Sequence, residues 1–444
     1  MEKLRVLTLE TCDNISFRQM NYYLCKINSI KGEIYMNNEL LRKYAELVVR
    51  TGANVQKGQT AVITAPIETA AFARMIAEVA YKEGAKEVVM DWRDDGFSRV
   101  RYLYAPEEVF NTYPGWKKEF FKTYLHEEAV FIQISASDPE ALKGVDVKRL
   151  AKAQKVNATE NKEFYDRLMS NQNSWTIAAM PTEAWAKKVF PKLPSEEAVE
   201  KLWDAILKSV RVDKEDPVAA WEEHSANLKK RMEFLNSHNF KYLHYKNTLG
   251  TDLKIELPQG HQWMGGSEEN VRGVAFNANM PTEEVFTLPL KTGVNGKVVS
   301  SMPLNYNGNL IDKFAITFEN GRIVDYSAER GYDILKSIID TDEGSHYLGE
   351  VALVPYDSPI SNLDILFYNT LFDENASCHL AIGKAYFPCL KNSESMSEQD
   401  FERAGANDSL VHVDFMVGTK DLDIMGITQE GKEIPIFEKG NFAF

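Results

Sequence analysis

Cysteine and histidine are both scarce in this chain, with four cysteines and eight histidines in 444 residues. Cys12, Cys25, Cys378 and Cys389 are too few and too irregularly spaced for a disulfide framework, so they read as free thiols of a reducing compartment. No apolar run approaches the ~20 residues that a membrane-spanning helix needs. Basic residues are outnumbered, 51 Lys and Arg against 65 Asp and Glu, for a formal net charge of −14. Nucleic-acid binding is dominated by basic patches, and none of comparable size is present. No strand-like run is followed by GxGxxG or GxxxxGK[ST], so a nucleotide site lacks support. There is no internal repeat and no low-complexity tract. What remains is a globular composition, 44% hydrophobic and 26% charged, at a length that favours two domains.

The first 35 residues carry two of the four cysteines, no clear amphipathic period and no secretory apolar core. At Met36 the pattern changes to NNELLRKYAELVVRTGANVQKGQ, which opens with an Asn cap and spaces Leu40, Leu41, Tyr44, Leu47 and Val48 as a helix face. The functional chain is therefore expected to start at Met36, with 1–35 an upstream translation or an added extension. From there to 236, the strand-like runs TAVITAP, AKEVVMDW, AVFIQIS and SWTIAAM alternate with helical runs such as ETAAFARMIAEVAYKEG. That succession is βαβ and implies a parallel sheet with right-handed crossovers. Helices over 195–236, broken at Asp216-Pro217 where proline suits a first turn, form the candidate linker. Beyond 237 the texture is short alternating runs separated by Gly, Asn and Pro, with NGN and ENG as hairpin turns and one helix near 331–340. The expected architecture is an α/β domain with a largely parallel sheet over 36–236, followed by a β-rich α+β metal-binding domain over 237–444.

The few histidines are informative by context. His379 lies in NASCHLAIGKAY, and His412 stands two residues before Asp414 in VHVDFMVG, a spacing that puts both side chains on one face of a strand. Glu284 in NMPTEEVFTLP and Glu350 in LGEVALVP are acids in apolar, strand-like surroundings, where a carboxylate is costly without a cation. Imidazole and carboxylate bind Zn²⁺, Co²⁺ or Mn²⁺ while leaving a coordination position open for water. Each residue alone also has a plainer reading, a satisfied core histidine or a solvated glutamate, and the sequence does not say which of Glu283 and Glu284 faces inward. His379, Gly383 and Tyr386 have the spacing of one helix or turn face, which would direct His379 and Tyr386 to one place. His346 rivals Glu350 as a ligand but lies in a polar, Gly-flanked loop. His261, beside Trp263 in QGHQWMGG, is a candidate substrate contact. Cys378 next to His379 reads as a buried thiol. His126, His224, His238 and His244 sit among charged or helical neighbours and read as exposed or incidental.

Taken together, NMPTEEVFTLP, EGSHYLGEVALV, LFDENASCHLAIGKAY and HVDFMVGT resemble the thermophilic aminopeptidase family, and the likeness runs from Met36 to Phe444. The resemblance implies two divalent metals, zinc, cobalt or manganese, held by Glu284, Glu350, His379, His412 and Asp414, with the family's active-site tyrosine at Tyr386. It implies a cytoplasmic homodimer with enclosed active sites that releases N-terminal residues from peptides with a free amino terminus, using a hydroxide activated by both metals. Glu284 and Glu350 share in that chemistry as ligands, and Tyr386 either bonds the oxyanion or ligates a metal. Glu283 is the local candidate for carrying the proton to the leaving amine. Two alternatives stay open. A di-metal amidase or phosphoesterase could use the same ligands, although an anionic substrate would want basic residues where the motifs offer only Lys384. A peptide-binding protein with a degenerate site is the second, and the intact ligand set argues against it.

Overall fold

The computed structural model describes residues 39–136, 138–306 and 308–444. The extension over 1–35, the start at Met36 and its Asn cap lie outside the described residues. Residues 39–47 are helical and run into a single π turn, Val48–Gly52, which buries Tyr44, Leu47, Val48 and Val49. The first sheet is wholly parallel, made of β1 (Thr60–Pro66), β2 (Glu87–Arg93), β3 (Val130–Ser135), β4 (Trp175–Ala179) and β5 (Asn279–Met280) in the order β2-β1-β3-β4-β5. All seven residues of β1 are buried, as expected of a central strand covered on both faces. The helix Ala70–Lys82 returns over the sheet and buries Phe72, Ala73, Ile76, Val79 and Ala80, a three-to-four-residue repeat facing Ile63, Ile132 and Ala178. Each such large apolar side chain contributes about 1.5–3 kcal/mol on burial.

The helix Pro217–His238 begins as the sequence suggests, with Pro217 in its first turn and the Asp216 side chain accepting from the Ala219 amide at 3.1 Å. After it the pairing becomes antiparallel. A nine-stranded sheet spans 242–330 and 423–442, and within it Glu319 pairs with Arg322 around Asn320 and Gly321, both at positive φ, so ENG is a tight hairpin turn. The expected helix is Tyr332–Ile339. A smaller sheet of β6 (Val285–Thr287), β7 (Leu348–Leu353), β8 (His379–Gly383) and β9 (His412–Met416), antiparallel in that order, packs one face into the core of the larger sheet.

Two segments tie the halves together. β5 extends the parallel sheet from beyond the helical linker, and Phe367 and Phe372 complete the first core, where the Trp185 indole donates to the Phe367 carbonyl at 2.6 Å. HLAIG, whose spacing suggested a helix or turn face, is strand β8. Pairing on both sides decides its conformation, and five residues are too few for a period to do so. Among the described residues no helix is long and apolar enough to cross a membrane.

Candidate metal centre

The pleat of the small sheet sorts its residues by chemistry. Glu350 pairs with Ala381 and Ala381 with Asp414, while Ala352 pairs with His379 and Gly383 with His412. Glu350, His379, His412 and Asp414 therefore share one face, with small residues between them, and Val351, Leu380, Ile382, Val413 and Phe415 fill the core behind. Plain alternation would put Glu350 on the face of Leu348, which is in the core. A register shift between them carries Glu350 to the other side. The shift falls at Gly349, where a Cβ would come within 2.3 Å of the Lys384 carbonyl oxygen, so the bulge depends on glycine. Glu284 joins the same face from the residue before β6.

His379 Nε2 lies 2.9 Å from Glu284 Oε2 and 3.4 Å from Glu350 Oε1. His412 Nε2 lies 3.8 Å from Glu350 Oε2 and 3.2 Å from Asp414 Oδ1. Two triads result, Glu284–Glu350–His379 and Glu350–His412–Asp414, each with its ligand atoms within 4.8 Å of one another, and Glu350 belongs to both. Both rings are oriented by the backbone. His379 Nδ1 donates to the carbonyls of Glu374 at 2.9 Å and Ser377 at 3.1 Å, and His412 Nδ1 donates to that of Lys384 at 2.7 Å. A carbonyl only accepts, so each neutral ring turns the lone pair of Nε2 toward carboxylate oxygens, an arrangement that needs a cation between them.

Two observations bear out that need. Glu284 Oε2 and Asp414 Oδ1 are buried and receive no hydrogen bond, even though His379 Nε2 is 2.9 Å from the former. Without a metal the rings take up protons instead. Burial opposes the charge, yet Glu284 and Glu350 hold His379 well above its ordinary value, and against burial Asp414 and Glu350 raise His412 to about 10. Carboxylates and neutral imidazoles in this arrangement fit divalent first-row ions.

Comparison with known proteins converges on the same chemistry. The chain matches the family described as thermophilic metalloprotease (M29) over residues 37–442. It belongs to that family. It is 49% identical over 404 residues to aminopeptidase 2 of Geobacillus stearothermophilus, covering 91% of this chain and 98% of the relative. It is 49% identical over 407 residues to aminopeptidase AmpS of Bacillus subtilis, covering 92% and 99%. The structure of wild-type AmpT from Thermus thermophilus matches with a TM-score of 0.84 at 40% identity, covering 92% of this chain and all of that one. The protein is thus a peptide hydrolase of a metal-dependent family, with the α/β and β-rich parts expected from its sequence.

In this M29 peptidase the triads open into a cavity of about 300 Å³ whose apolar wall includes Met169, Trp175, Ile177, Phe286 and Leu371. Tyr386 lies three residues beyond β8 and reaches the cavity, so it converges with His379 by strand and turn geometry. Its hydroxyl sits 2.6 Å from both Glu268 Oε2 and Asn171 Oδ1, and the Asn171 amide donates to Glu268 Oε2 at 2.6 Å. Sequence reasoning missed Glu268, which stands in the polar run GGSEEN and carries no local signal. It also passed over Glu374, although this acid lies inside LFDENASCHL. Both line the cavity, and burial raises both carboxyls, Glu374 further through Asp414 and Glu284.

Of the other expectations, those for Glu283, His224 and His261 are corrected, while the readings of His346 and Cys378 hold. Glu283 points away from the cavity, where Arg211 binds it at 2.7 Å and His224 approaches to 3.8 Å, so its carboxyl is engaged as a structural ion pair. The Glu283 amide donates to Asn375 Oδ1 at 2.7 Å, which ties the Glu283–Glu284 pair to the turn before β8. His224, read as exposed or incidental, is buried, with Nε2 donating to the Thr282 carbonyl at 2.7 Å. His261 is buried with Nδ1 on the Pro258 carbonyl at 2.9 Å and is not part of the cavity wall. His346 lies in the turn Gly344–His346 and enters neither triad. The Cys378 thiol is buried, bonded to Val354 and pushed up to about 12, which makes it inert. Lys384 is held by Asp166 and Asp408 at 2.8 and 2.6 Å, and no Lys or Arg lines the cavity among the described residues.

Proposed function

We propose that this protein is a metal-dependent aminopeptidase, releasing the N-terminal residue of peptides, with two divalent ions held by Glu284, Glu350, His379, His412 and Asp414. The observation that carries the two-ion reading is the division of Glu350, whose Oε1 faces His379 while its Oε2 faces His412. When bound, zinc, cobalt or manganese ions would supply Lewis acidity at the scissile carbonyl and bring a water within reach of neutral-pH deprotonation.

The side chains do the rest. Tyr386 shares its one hydroxyl proton between Glu268 and Asn171 in the resting site and turns it to the developing oxyanion during the reaction. Glu374 replaces Glu283 as the proton carrier. It is buried beside the triads, with only a long 3.4 Å contact from the Asn375 amide, and it can take the proton of the attacking water and deliver it to the leaving amine. The wall of acids without Lys or Arg suits a substrate ammonium and disfavours a phosphate, which supports peptide over phosphoester chemistry. Met169, Trp175, Ile177, Phe286 and Leu371 receive the N-terminal side chain. A cytoplasmic setting and a homodimeric assembly belong to the same proposal, and the free, buried Cys378 and Cys389 agree with a reducing compartment.

The test is hydrolysis of aminoacyl-p-nitroanilides beside their N-acetylated counterparts, before and after EDTA and with Co²⁺, Zn²⁺ or Mn²⁺ returned. Cleavage restricted to free-amine substrates and restored by metal is the expected result. Equal cleavage of the acetylated compounds would move the assignment to a general amidase, and no cleavage by folded, metal-loaded protein would leave a binding protein.

A further inference from the structure

A second cavity, larger than the one that holds the triads, lies in the α/β half. A space of about 810 Å³ lies against the parallel sheet, on the face carrying Thr64, Gln133 and Ile177, and beneath the helix Asp95–Tyr104. It shares Met169, Trp175 and Ile177 with the metal pocket, so the two spaces adjoin across those three side chains.

The charges of the two spaces are opposite. The metal pocket is lined by five acids and two histidines without Lys or Arg, whereas Arg93, Arg101 and Lys117 all line the larger space. Two of these cations are accounted for, because Arg93 and Lys117 both face Asp91, at 4.0 and 3.7 Å. Its two acids are engaged as well. Asp94 caps its own helix at the Phe97 amide, and Asp95 accepts from the Asp138 amide at 3.1 Å. Arg101 is different. Its guanidinium lies over the rings of Phe110 and Tyr102, 4.8 and 5.9 Å from their centroids, and no carboxylate lies within ion-pair distance among the described residues. A guanidinium held against aromatic faces keeps its donor edge free for a planar oxyanion. The helix that carries it buries none of its side chains, and its exposed Phe97 lines the cavity beside Arg101.

We propose that this second cavity is the binding site for the leaving part of a short peptide, with Arg101 taking its terminal carboxylate. The inference rests on the aminopeptidase reading and adds to it. A short peptide is a zwitterion, and the molecule offers an acidic pocket for its ammonium end next to a basic, aromatic chamber for its carboxylate end. The α/β half of the chain then selects substrates by their far end, in addition to walling the pocket.

The experiment compares kcat/KM for Leu-Gly, Leu-Gly-Gly and Leu-Gly-Gly-Gly with each C-terminal amide, in the wild type, Arg101→Gln and Arg101→Lys, all metal-loaded. The ratio of free acid to amide within one protein is independent of how much of that protein is active. The expected result is a wild-type preference of about tenfold or more for the acid at one of these lengths, a gap of the size that a charge-assisted hydrogen bond supplies. That preference should fall to near one in Arg101→Gln and be partly kept in Arg101→Lys. Wild-type ratios near one at every length, or a preference that survives in Arg101→Gln, would overturn the assignment while leaving the aminopeptidase intact. Failure of the wild type to cleave any free-amine peptide would instead remove the underlying activity, and the inference with it.

Discussion

Glu283 and Glu284 are neighbours in sequence, both buried, and each ends beside a histidine, yet they belong to two different kinds of site. Glu283 meets Arg211 at 2.7 Å and His224 at 3.8 Å, whereas Glu284 meets His379 at 2.9 Å and shares it with Glu350. The first cluster contains a fixed cation. Its one carboxylate is matched on folding, and its histidine stays neutral, because burial first and the Arg211 charge second push it down to about 3. The second gathers three carboxylates around two imidazoles with no Lys or Arg in the cavity wall, so its positive charge has to come from solution. A buried Glu–His pair therefore does not mark a metal site. The missing counter-charge does.

Removing the shared ligand should have the largest effect. Glu350 is the one residue common to both triads, so Glu350→Gln is expected to lose most of its bound metal and about three orders of magnitude in kcat/KM, roughly 4 kcal/mol. His412→Ala touches one triad and should keep close to one ion per chain by elemental analysis. The same ion loss in both variants would take Glu350 out of the bridging position. The converse change is Arg211→Gln, which strips the fixed cation from Glu283. Leaving that carboxylate buried and unpaired should cost about 3–5 kcal/mol in urea unfolding, while the metal content per folded molecule holds. A change below 1 kcal/mol would show that Arg211 is not what neutralises Glu283.

The contrast between the two clusters was only partly legible in the sequence. TAVITAP announced a buried strand and ENG a hairpin, because each carries its pattern within a few residues. The two-residue spacing of His412 and Asp414 likewise fixed a common face, which β9 shows. Other features depend on contacts that no short window contains. β5 has two residues and joins the parallel sheet beside β4, about a hundred positions earlier in the chain. Glu268 enters the cavity through Asn171, 97 residues before it, and Tyr386, 118 residues after it. Glu350 reaches the ligand face only because the register slips at Gly349, against the alternation that its own strand suggests. Glu284 lines the cavity while Glu283 pairs with Arg211, a partner 72 residues away that no short window contains.

A smaller effect separates chemistry from charge matching inside the metal pocket. Tyr386→Phe removes a donor without altering any ligand. It is expected to lower kcat by about 10²-fold, near 3 kcal/mol, with KM and metal content almost unchanged. A rise in KM with kcat preserved would make Tyr386 a substrate-positioning group and shift oxyanion stabilisation elsewhere.

The smallest expected effect is the most direct test of the fixed-cation cluster. His224 donates through Nε2 to Thr282, and its Nδ1 lies 3.0 Å from the Arg211 guanidinium, so both ring nitrogens are committed in the neutral form. Arg211, Glu283 and, further off, Arg231 are the charged groups around it. In the unfolded chain the ring protonates near its ordinary value of 6.5, whereas in the folded protein it does so near 3. As pH falls below about 6.5 the unfolded state gains a proton that the native state refuses. The stabilisation is thus complete above that pH and declines toward 3, with a slope of about 1.4 kcal/mol per unit. Between pH 7 and 5.5 metal-stripped wild type should lose about 1 kcal/mol more, by urea unfolding, than metal-stripped His224→Gln, which has nothing to protonate there. Equal losses would mean that Glu283, whose carboxyl burial raises, takes the proton in place of His224, and that the cluster responds to acid through its carboxylate.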